Sequence, residues 1–560
     1  VSSEVLPSDA PLERLKLAKG VIISGGPSSV YDCASPTIDP AVLAAGIPVL
    51  GICYGQQLIA HQLGGTVRPG DKGEFGLAVL DMAAGDSAIL HGVSNGGQVW
   101  MSHRDVVSDP PPGFRTLATT LTCETAAIED SARRIYGVQF HPEVVHTRDG
   151  VRILDNFVFG ICGCAKDWNA SQRIDLIEKQ IKQAAGERKI FFFVSGGVDS
   201  TVAFMLCLDA LGSERVRGVY VDTGLMRKGE TEFIQETFSG LGLVRIEDCQ
   251  EEFLSALEQV RDPETKRHII GELFVGIQER IIEERGLLSG RWILGQGTIY
   301  PDTIESGGTA RAAVIKTHHN RVPGIQKLID QGLIVEPLAD FYKDEVRAIG
   351  RELGIAPQLL DRHPFPGPGL AIRCLCADHD QPIRRQGDGY LIPIMSVGVQ
   401  GDSRSYAPVF AIDAFPSEAA KLQTEATELI NRGVGANRVV ARVATRNPLE
   451  HERVFSSTVT HRRLELLREA DAIVREMCHE SGFEKEVWQF PVVLIPLGSG
   501  EARDSVVLRP VQSVDGMTAD SVTMPDDLLH AMATEILHIA EIAGVYYDLT
   551  HKPPGTIEWE

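Results

Sequence analysis

Short apolar runs that break into glycine turns recur along the first two thirds of the chain. "GVIISGGP" (20–27) and "GIPVLGICYGQQLIAHQLGG" (46–65) each carry a brief apolar stretch into glycines, and "RIYGVQFHPEV" (134–144) ends its stretch at a His-Pro pair. "KIFFFVS", "VRGVYVDTG" and "RWILGQGT" repeat the pattern later, with helix-like stretches such as "ETFSGLG" and "EEFLSALEQV" between them. Buried strands alternating with helices predict an α/β chain, with a doubly wound parallel sheet over roughly 166–373. Ligands of such sheets sit at the carboxyl ends of the strands.

The last third changes character. "HRRLELLREADAIVREMCHESGF" (461–483) spaces Leu464, Leu467, Ile473, Val474 and Met477 at helical intervals, which predicts a helix facing a core. It lies between two similar stretches, "LIPIMSVGVQGDSRSYAPVFAIDA" from Leu391 and "LIPLGSGEARDSVVLRPVQSVDGMT" from Leu494. Both run Leu-Ile-Pro, a glycine-containing turn, Asp-Ser, then a second strand ending near an aspartate. Asp402 is as far from Asp504 as Asp413 is from Asp515. An interval that long is a domain-scale duplication, so a duplicated α+β region is expected over 374–560.

Bulk properties narrow this only modestly. At 560 residues the chain should hold about three or four domains. No apolar run approaches the length of a membrane span. The net charge of −22, with no compact basic patch, argues against a general nucleic-acid surface and leaves nucleotide binding open. The ten cysteines are scattered, and Cys162/Cys164 and Cys374/Cys376 are C-x-C rather than zinc-type pairs. Reduced thiols and a cytoplasmic setting are therefore expected. The first twenty residues lack a signal pattern, and a start at Val1 without methionine suggests a fragment.

Candidate chemistry appears first in Gly51-Ile52-Cys53-Tyr54-Gly55, a G-x-C-x-G elbow between strand and helix. Such elbows expose a nucleophile, and a helix N-terminus favours thiolate. His141 and Glu143, two apart in an extended stretch, can line one site: His141 as proton carrier, Glu143 as its orienter. The backbone N–H groups of Tyr54 and Gly25 are candidates for an oxyanion hole. Taken together, "SGGP…GICYGQQ…VQFHPEV" resembles the class I glutamine amidotransferases, which release ammonia from glutamine. The resemblance implies that Gln57 contacts the substrate amide and that "WMSHRDVV" supplies backbone to the glutamine, although Arg104 stands where the family has glycine. It also implies an opening strand of the type "ILDFGSQ", which does not occur in this sequence.

A second loop follows "KIFFF": Ser195, Gly196, Gly197, Val198, Asp199 and Ser200 at the mouth of a helix. It offers backbone N–H groups to phosphate but lacks the lysine of a P-loop. "SGGVDS" resembles the pyrophosphate loop of the N-type ATP pyrophosphatases. That likeness implies that Ser195, Gly196, Gly197 and Ser200 cradle pyrophosphate and that Asp199 helps hold Mg²⁺. Lys316 and Lys343 are candidate phosphate partners, with Lys266 and Arg267 in a third basic stretch.

"HPFPGPGLAIR" (363–373) and the final "YDLTHKPPGTIEWE" complete the pattern. Together with the preceding motifs they resemble the glutamine-hydrolysing GMP synthase family, in its animal-type long form. The resemblance implies glutamine, ATP and xanthosine 5′-monophosphate (XMP) as substrates, with Arg267, Asp402, Gln489, Lys552 and Glu558 as XMP contacts. It also implies an amidotransferase domain over 1–165 lacking its first strand, an ATP pyrophosphatase domain over 166–373, and a dimerisation-type region with a nucleotide-binding tail over 374–560. No nucleic acid or membrane partner is expected. A monomer, a homodimer and further protein partners all stay open. The rival readings are another glutamine-fed ATP pyrophosphatase with a different acceptor, and a regulatory binding protein that keeps the fold without the chemistry.

Overall fold

The apolar runs that end in glycine turns become the buried strands of two compact units, Val1–Asn169 and Ala170–Glu560. The structure is a computed structural model. It describes every residue except 2, 27, 33–34, 84, 145, 240–242, 303–322, 401–402, 417–418, 432–434, 514–518 and 553.

The first unit is built from β1 (Val21–Ile23), β2 (Val49–Ile52), α1 (Tyr54–Gln62), β3 (Thr66–Val79), β4 (Asp81–Met82), β5 (Gln98–Asp109), β6 (Arg115–Thr119), β7 (Ala127–Asp130) and β8 (Ile135–Val138). Six of these strands form one sheet in the order β1-β2-β8-β7-β6-β4. β1, β2 and β8 are parallel neighbours, whereas β7, β6 and β4 continue antiparallel. Every residue of β2 and β8 is buried, which is why both read as unbroken apolar runs. β3 and β5 pair separately as a long antiparallel ribbon.

The second unit opens with α2 (Ala170–Ala185), β9 (Lys189–Phe193), α3 (Val198–Leu211), β10 (Val216–Asp222), α4 (Glu230–Ser239), β11 (Val244–Asp248), α5 (Gln250–Ala256), α6 (Pro263–Glu284), β12 (Trp292–Gly295), β13 (Ile334–Val335) and α7 (Lys343–Glu352). Its five strands are all parallel, in the order β11-β10-β9-β12-β13. The sequence runs outward from β9 in one direction and from β12 in the other. The carboxyl end of β9 is thus the point where the winding reverses, where this architecture leaves a crevice for ligand. "VSGG" begins there.

The remainder contains β14 (Arg384–Gln386), β15 (Gly389–Gln400), β16 (Ser403–Ile412), α8 (Ala419–Asn431), β17 (Arg438–Thr445), α9 (His461–Ser481), β18 (Val492–Ile495), β19 (Asp504–Leu508), α10 (Asp526–Leu537) and β20 (Ile542–Asp548). They form one seven-stranded sheet, β14-β15-β16-β17-β20-β19-β18. A hairpin, a helix and a returning parallel strand occur twice, as β15-β16-α8-β17 and β18-β19-α10-β20. The two copies meet through the antiparallel pair β17–β20 at the centre. The duplication is therefore one continuous sheet with the copies back to back. α9 joins them. Thr460 caps its start by accepting from Arg463 N at 3.2 Å, and Gly482 ends it at φ 78°. Leu464, Leu467 and Val474 are buried on it, with Ile473 and Met477 half-buried.

The final residues turn back into this core. Trp559 is fully buried, with its indole nitrogen donating to Asp548 at 2.9 Å and the Arg438 guanidinium 4.9 Å over its ring. Arg438 and Arg509, both buried, donate to the main-chain oxygens of Thr556 and, respectively, of Glu558 and Ile557. They share Asp548 as counter-ion, so two buried guanidinium groups satisfy carbonyls that the irregular tail leaves unpaired. Among the described residues, no helix is long and apolar enough to cross a membrane.

Candidate active sites

Cys53 holds the turn between β2 and α1 at φ 52° and ψ −106°. Few residues other than glycine adopt that conformation, and it is typical of sites that aim a side chain. Both flanking glycines are required. A Cβ on Gly51 would lie 2.5 Å from the Gly55 carbonyl carbon, and one on Gly55 would lie 2.1 Å from the Ile23 carbonyl oxygen. The Cys53 N–H donates to Val138 O at 2.8 Å, pinning the elbow to β8.

The thiol is buried among polar groups. It donates to Ser102 O at 3.7 Å and accepts from Gln139 Nε2 at 3.6 Å. His141 comes just after β8, with its N–H on Trp100 O at 3.0 Å and its carbonyl accepting from Thr147 Oγ1 at 2.6 Å. Its Nδ1 is 2.7 Å from Glu143 Oε1. The buried Nε2 has no hydrogen-bond partner at ordinary geometry. Cys53 is nevertheless near enough to be the leading cause lifting the imidazole from 6.5 to about 10, ahead of Glu143 and against burial. A Cβ on Gly25 would sit 3.2 Å from His141 Cε1 and 3.6 Å from Cys53 Cβ, so Gly25 faces the gap between ring and thiol.

Tyr54 opens α1 and sends its hydroxyl away from this gap to Pro36 O. Gln57 is buried and stands one remove from the thiol. Its Nε2 donates to Asp105 O at 2.9 Å and to Gln139 Oε1 at 3.2 Å. Gln139, which touches the sulfur directly, escaped the sequence reading, whereas Ser102 lies in the "WMSHRDVV" stretch quoted for its backbone. Gln139 sits two positions before His141 on the same strand exit, and that spacing could have flagged it.

The second site lies at the end of β9. Gly196 has φ 75°, and Gly197 caps α3. Ser195 and Ser200 hydroxyls are 3.0 Å apart, Gly197 N donates to Ser195 Oγ at 3.3 Å, and Ser200 Oγ donates to Gly197 O at 3.1 Å. The "GQG" loop after β12 presses on this turn, since a Cβ on Gly297 would be 2.6 Å from Ser200 N. Val198 is buried as the first residue of α3. Lys343, the first residue of α7, donates to Asp199 Oδ2 at 2.5 Å, joining two residues assigned separate roles from sequence. Asp199 Oδ1 is buried without a partner. A hard cation takes carboxylate oxygen plus phosphate, so that orphan oxygen beside two hydroxyls fits Mg²⁺ carried in with a nucleotide. Lys316 lies outside the described residues.

Around the tail, Arg373 grips Glu558 with two bonds, at 2.8 and 2.7 Å, and Gln489 Nε2 donates to Glu558 Oε1 at 3.2 Å and to Pro364 O at 2.9 Å. Burial, the largest single influence, raises the Glu558 carboxyl, but the guanidinium groups of Arg373, Arg227 and Arg267 together hold it below its ordinary range. Arg267 donates to the Glu560 main-chain oxygen. Lys266 is wholly buried, bonded to the Glu560 carboxylate and to Cys374 O at 3.1 Å. It forms a core ion pair. Lys552 bridges main chain to main chain with Ala519. Asp402 lies outside the described residues, and its repeat mate Asp504 is paired with Arg463 at 2.7 Å. Arg227, Arg362, Arg373 and Phe365 were not singled out, because arginines and one aromatic in a proline-rich loop carry no periodic signal.

An elbow cysteine beside a His–Glu pair on a mixed sheet, and a glycine-serine loop at the switch point of a parallel sheet, define an amidotransferase joined to an ATP pyrophosphatase. Similarity to known families agrees in order along the chain. Residues 1–161 match "Glutamine amidotransferase class-I", 169–266 match "NAD synthase", and 476–559 match "GMP synthase C terminal domain". A "Probable GMP synthase [glutamine-hydrolyzing]" of Leptospira interrogans is 43% identical over 578 residues, covering 100% of this chain and 95% of that one. The "GMP synthase [glutamine-hydrolyzing]" of Symbiobacterium thermophilum is 40% identical over 573 residues, covering 100% and 94%, and that of Geobacillus kaustophilus 38%, covering 100% and 95%. The chain belongs to the glutamine-hydrolysing GMP synthase family. The relatives named here are bacterial, and nothing in these matches points to an animal-type form in particular.

Proposed function

We propose that the chain makes GMP from XMP, using ATP and the amide nitrogen of glutamine. The observation that carries the first half is the Gly25–Cys53–His141–Glu143 arrangement. The Cys53 sulfur adds to the glutamine amide carbon while the main-chain N–H groups of Tyr54 and Gly25 receive the developing oxyanion. His141 takes the Cys53 thiol proton as the sulfur adds, and gives it from Nε2 to the departing ammonia. It then takes one from the water that cleaves the thioester to glutamate, and Glu143 holds Nδ1 throughout.

In the second unit, Ser195, Gly196, Gly197 and Ser200 receive the β and γ phosphates. The XMP O2 attacks the α phosphorus and pyrophosphate leaves. Ammonia then displaces AMP at C2. Asp199 would hold Mg²⁺, which when bound neutralises charge on the separating phosphates. Lys343, released from Asp199, and Lys316 serve as phosphate partners. XMP is met by Arg267, Asp402, Gln489, Lys552 and Glu558. The second unit divides functionally near residue 373 into a synthetase part and the repeated region. Two back-to-back copies within one sheet support the long form. A cytoplasmic setting suits the substrates.

The test is AMP and GMP formation from XMP and Mg·ATP, run in parallel with glutamine and with ammonium. Product from both supports the whole reading. Product from ammonium alone restricts it to the second unit, and product from neither in folded protein rejects XMP as acceptor.

A further inference from the structure

The pyrophosphate loop and the Glu558 tail belong to different ends of the second unit's sequence, yet one side chain and one stiff loop connect them. Arg362 Nη1 donates to the Gly196 main-chain oxygen at 3.2 Å. Its Nη2 meets both oxygens of Glu230, the first residue of α4, and its guanidinium lies 5.0 Å over Phe233 on the same helix. The Arg362 side chain is 21% exposed and that of Glu230 8%. The side chain is therefore held at both nitrogens, Nη2 by the nearly buried Glu230 carboxylate and Nη1 by the Gly196 carbonyl. Two residues on, Pro364 O accepts from Gln489, which in turn donates to Glu558.

The stretch between has little freedom. Pro364, Pro366 and Pro368 lock alternate φ angles. Phe365 is held between the guanidinium groups of Arg227 at 4.5 Å and Arg373 at 5.2 Å. Gly369, at φ 65°, lets the chain approach so closely that a Cβ would be 2.3 Å from Leu225 O, and Leu370 N donates to that oxygen at 2.7 Å. A displacement of Gly196 at one end is passed on by such a strut rather than absorbed.

We infer that Arg362 is a positioning residue that couples the two nucleotide sites, so that ATP and XMP each bind more tightly when the other is in place. Phosphate seated on the loop fixes the Gly196 peptide, Arg362 carries that position to Pro364, and Gln489 and Glu558 are held ready for the second nucleotide. The coupling is reciprocal by thermodynamic necessity. The inference rests on the proposed function, and its test separates the two.

XMP is titrated calorimetrically into the full chain with and without a non-hydrolysable ATP analogue and Mg²⁺. In the wild type the analogue should tighten XMP binding on the order of tenfold. In Arg362→Gln that factor should fall below about twofold. Arg362→Lys, which keeps the charge but has a single nitrogen for Glu230 and Gly196 O, should fall between. Glu230→Gln should also lose coupling, and serves if Arg362→Gln does not fold. Arg351→Gln, which removes only an exposed pair with Asp361, should keep the wild-type factor. Coupling unchanged in both Arg362→Gln and Glu230→Gln, or absent from the wild type while both nucleotides bind, overturns the inference. A folded wild type that binds neither nucleotide overturns the functional reading beneath it.

Discussion

Replacing Cys53 by alanine tests the first site at the level of a single proton. The His141 imidazole is lifted from 6.5 to about 10, with Cys53 the leading cause and Glu143 the second. At ~1.36 kcal/mol per tenfold change, that lift is about 5 kcal/mol of preference for the protonated ring. A folded-state pKa above the unfolded one contributes stability that is complete below about 6.5 and is lost as pH rises through about 10. Cys53→Ala deletes the leading contribution and leaves burial opposing Glu143 alone, so the ring should titrate several-fold to hundreds-fold more acidic and return toward 6.5. Titration of the His141 ring C–H signals by NMR in the two proteins reads this directly. The same variant should lose glutamine-driven product and retain ammonium-driven product. A His141 that still titrates near 10 without the sulfur would refute the argued pairing of ring and thiol, whatever happened to activity.

Gly55→Ala should destabilise the first unit by more than about 2 kcal/mol, since its Cβ would meet the Ile23 carbonyl at 2.1 Å; thermal unfolding with glutaminase activity checks it. Glu452 is pushed up to about 7 by burial, with Tyr546 donating to it at 2.5 Å. Its contribution to stability is complete below about 4.5 and lost as pH rises through about 7, a slope of about 3 kcal/mol that Glu452→Gln should remove from denaturant titrations across that range. Trp559→Ala should cost about 3–5 kcal/mol in chemical unfolding and raise KM for XMP, because a fully buried ring and its Asp548 bond are lost beneath Glu558. Asp199→Asn should abolish AMP formation with either nitrogen source while leaving glutamine hydrolysis measurable.

Patterning alone determined a good deal. The short apolar runs of β2, β8 and β9 pointed to buried strands, and the glycines after them to turns, because the rules for both are local. The repeat was legible because two stretches a domain apart spell the same strand–turn–strand pattern. Cys53, His141 and Ser195–Ser200 were legible because motif chemistry depends on neighbours in sequence.

Other features depend on which distant segments meet. Gln139 touches the thiol only because β2 and β8 are adjacent in the sheet. Lys266 stood in the sequence only as part of a basic stretch and is a core ion pair, since the last residues fold under it. The seven-stranded sheet arises because β17 pairs with β20 across the two copies, which no reading of either copy foretells. The tail's composition suits a disordered end, and it is ordered because Arg438 and Arg509, far upstream, supply the donors its carbonyls need. Local chemistry is written in runs of neighbouring residues. Hydrogen-bond partners and buried charges are settled only when long-range packing brings the segments together.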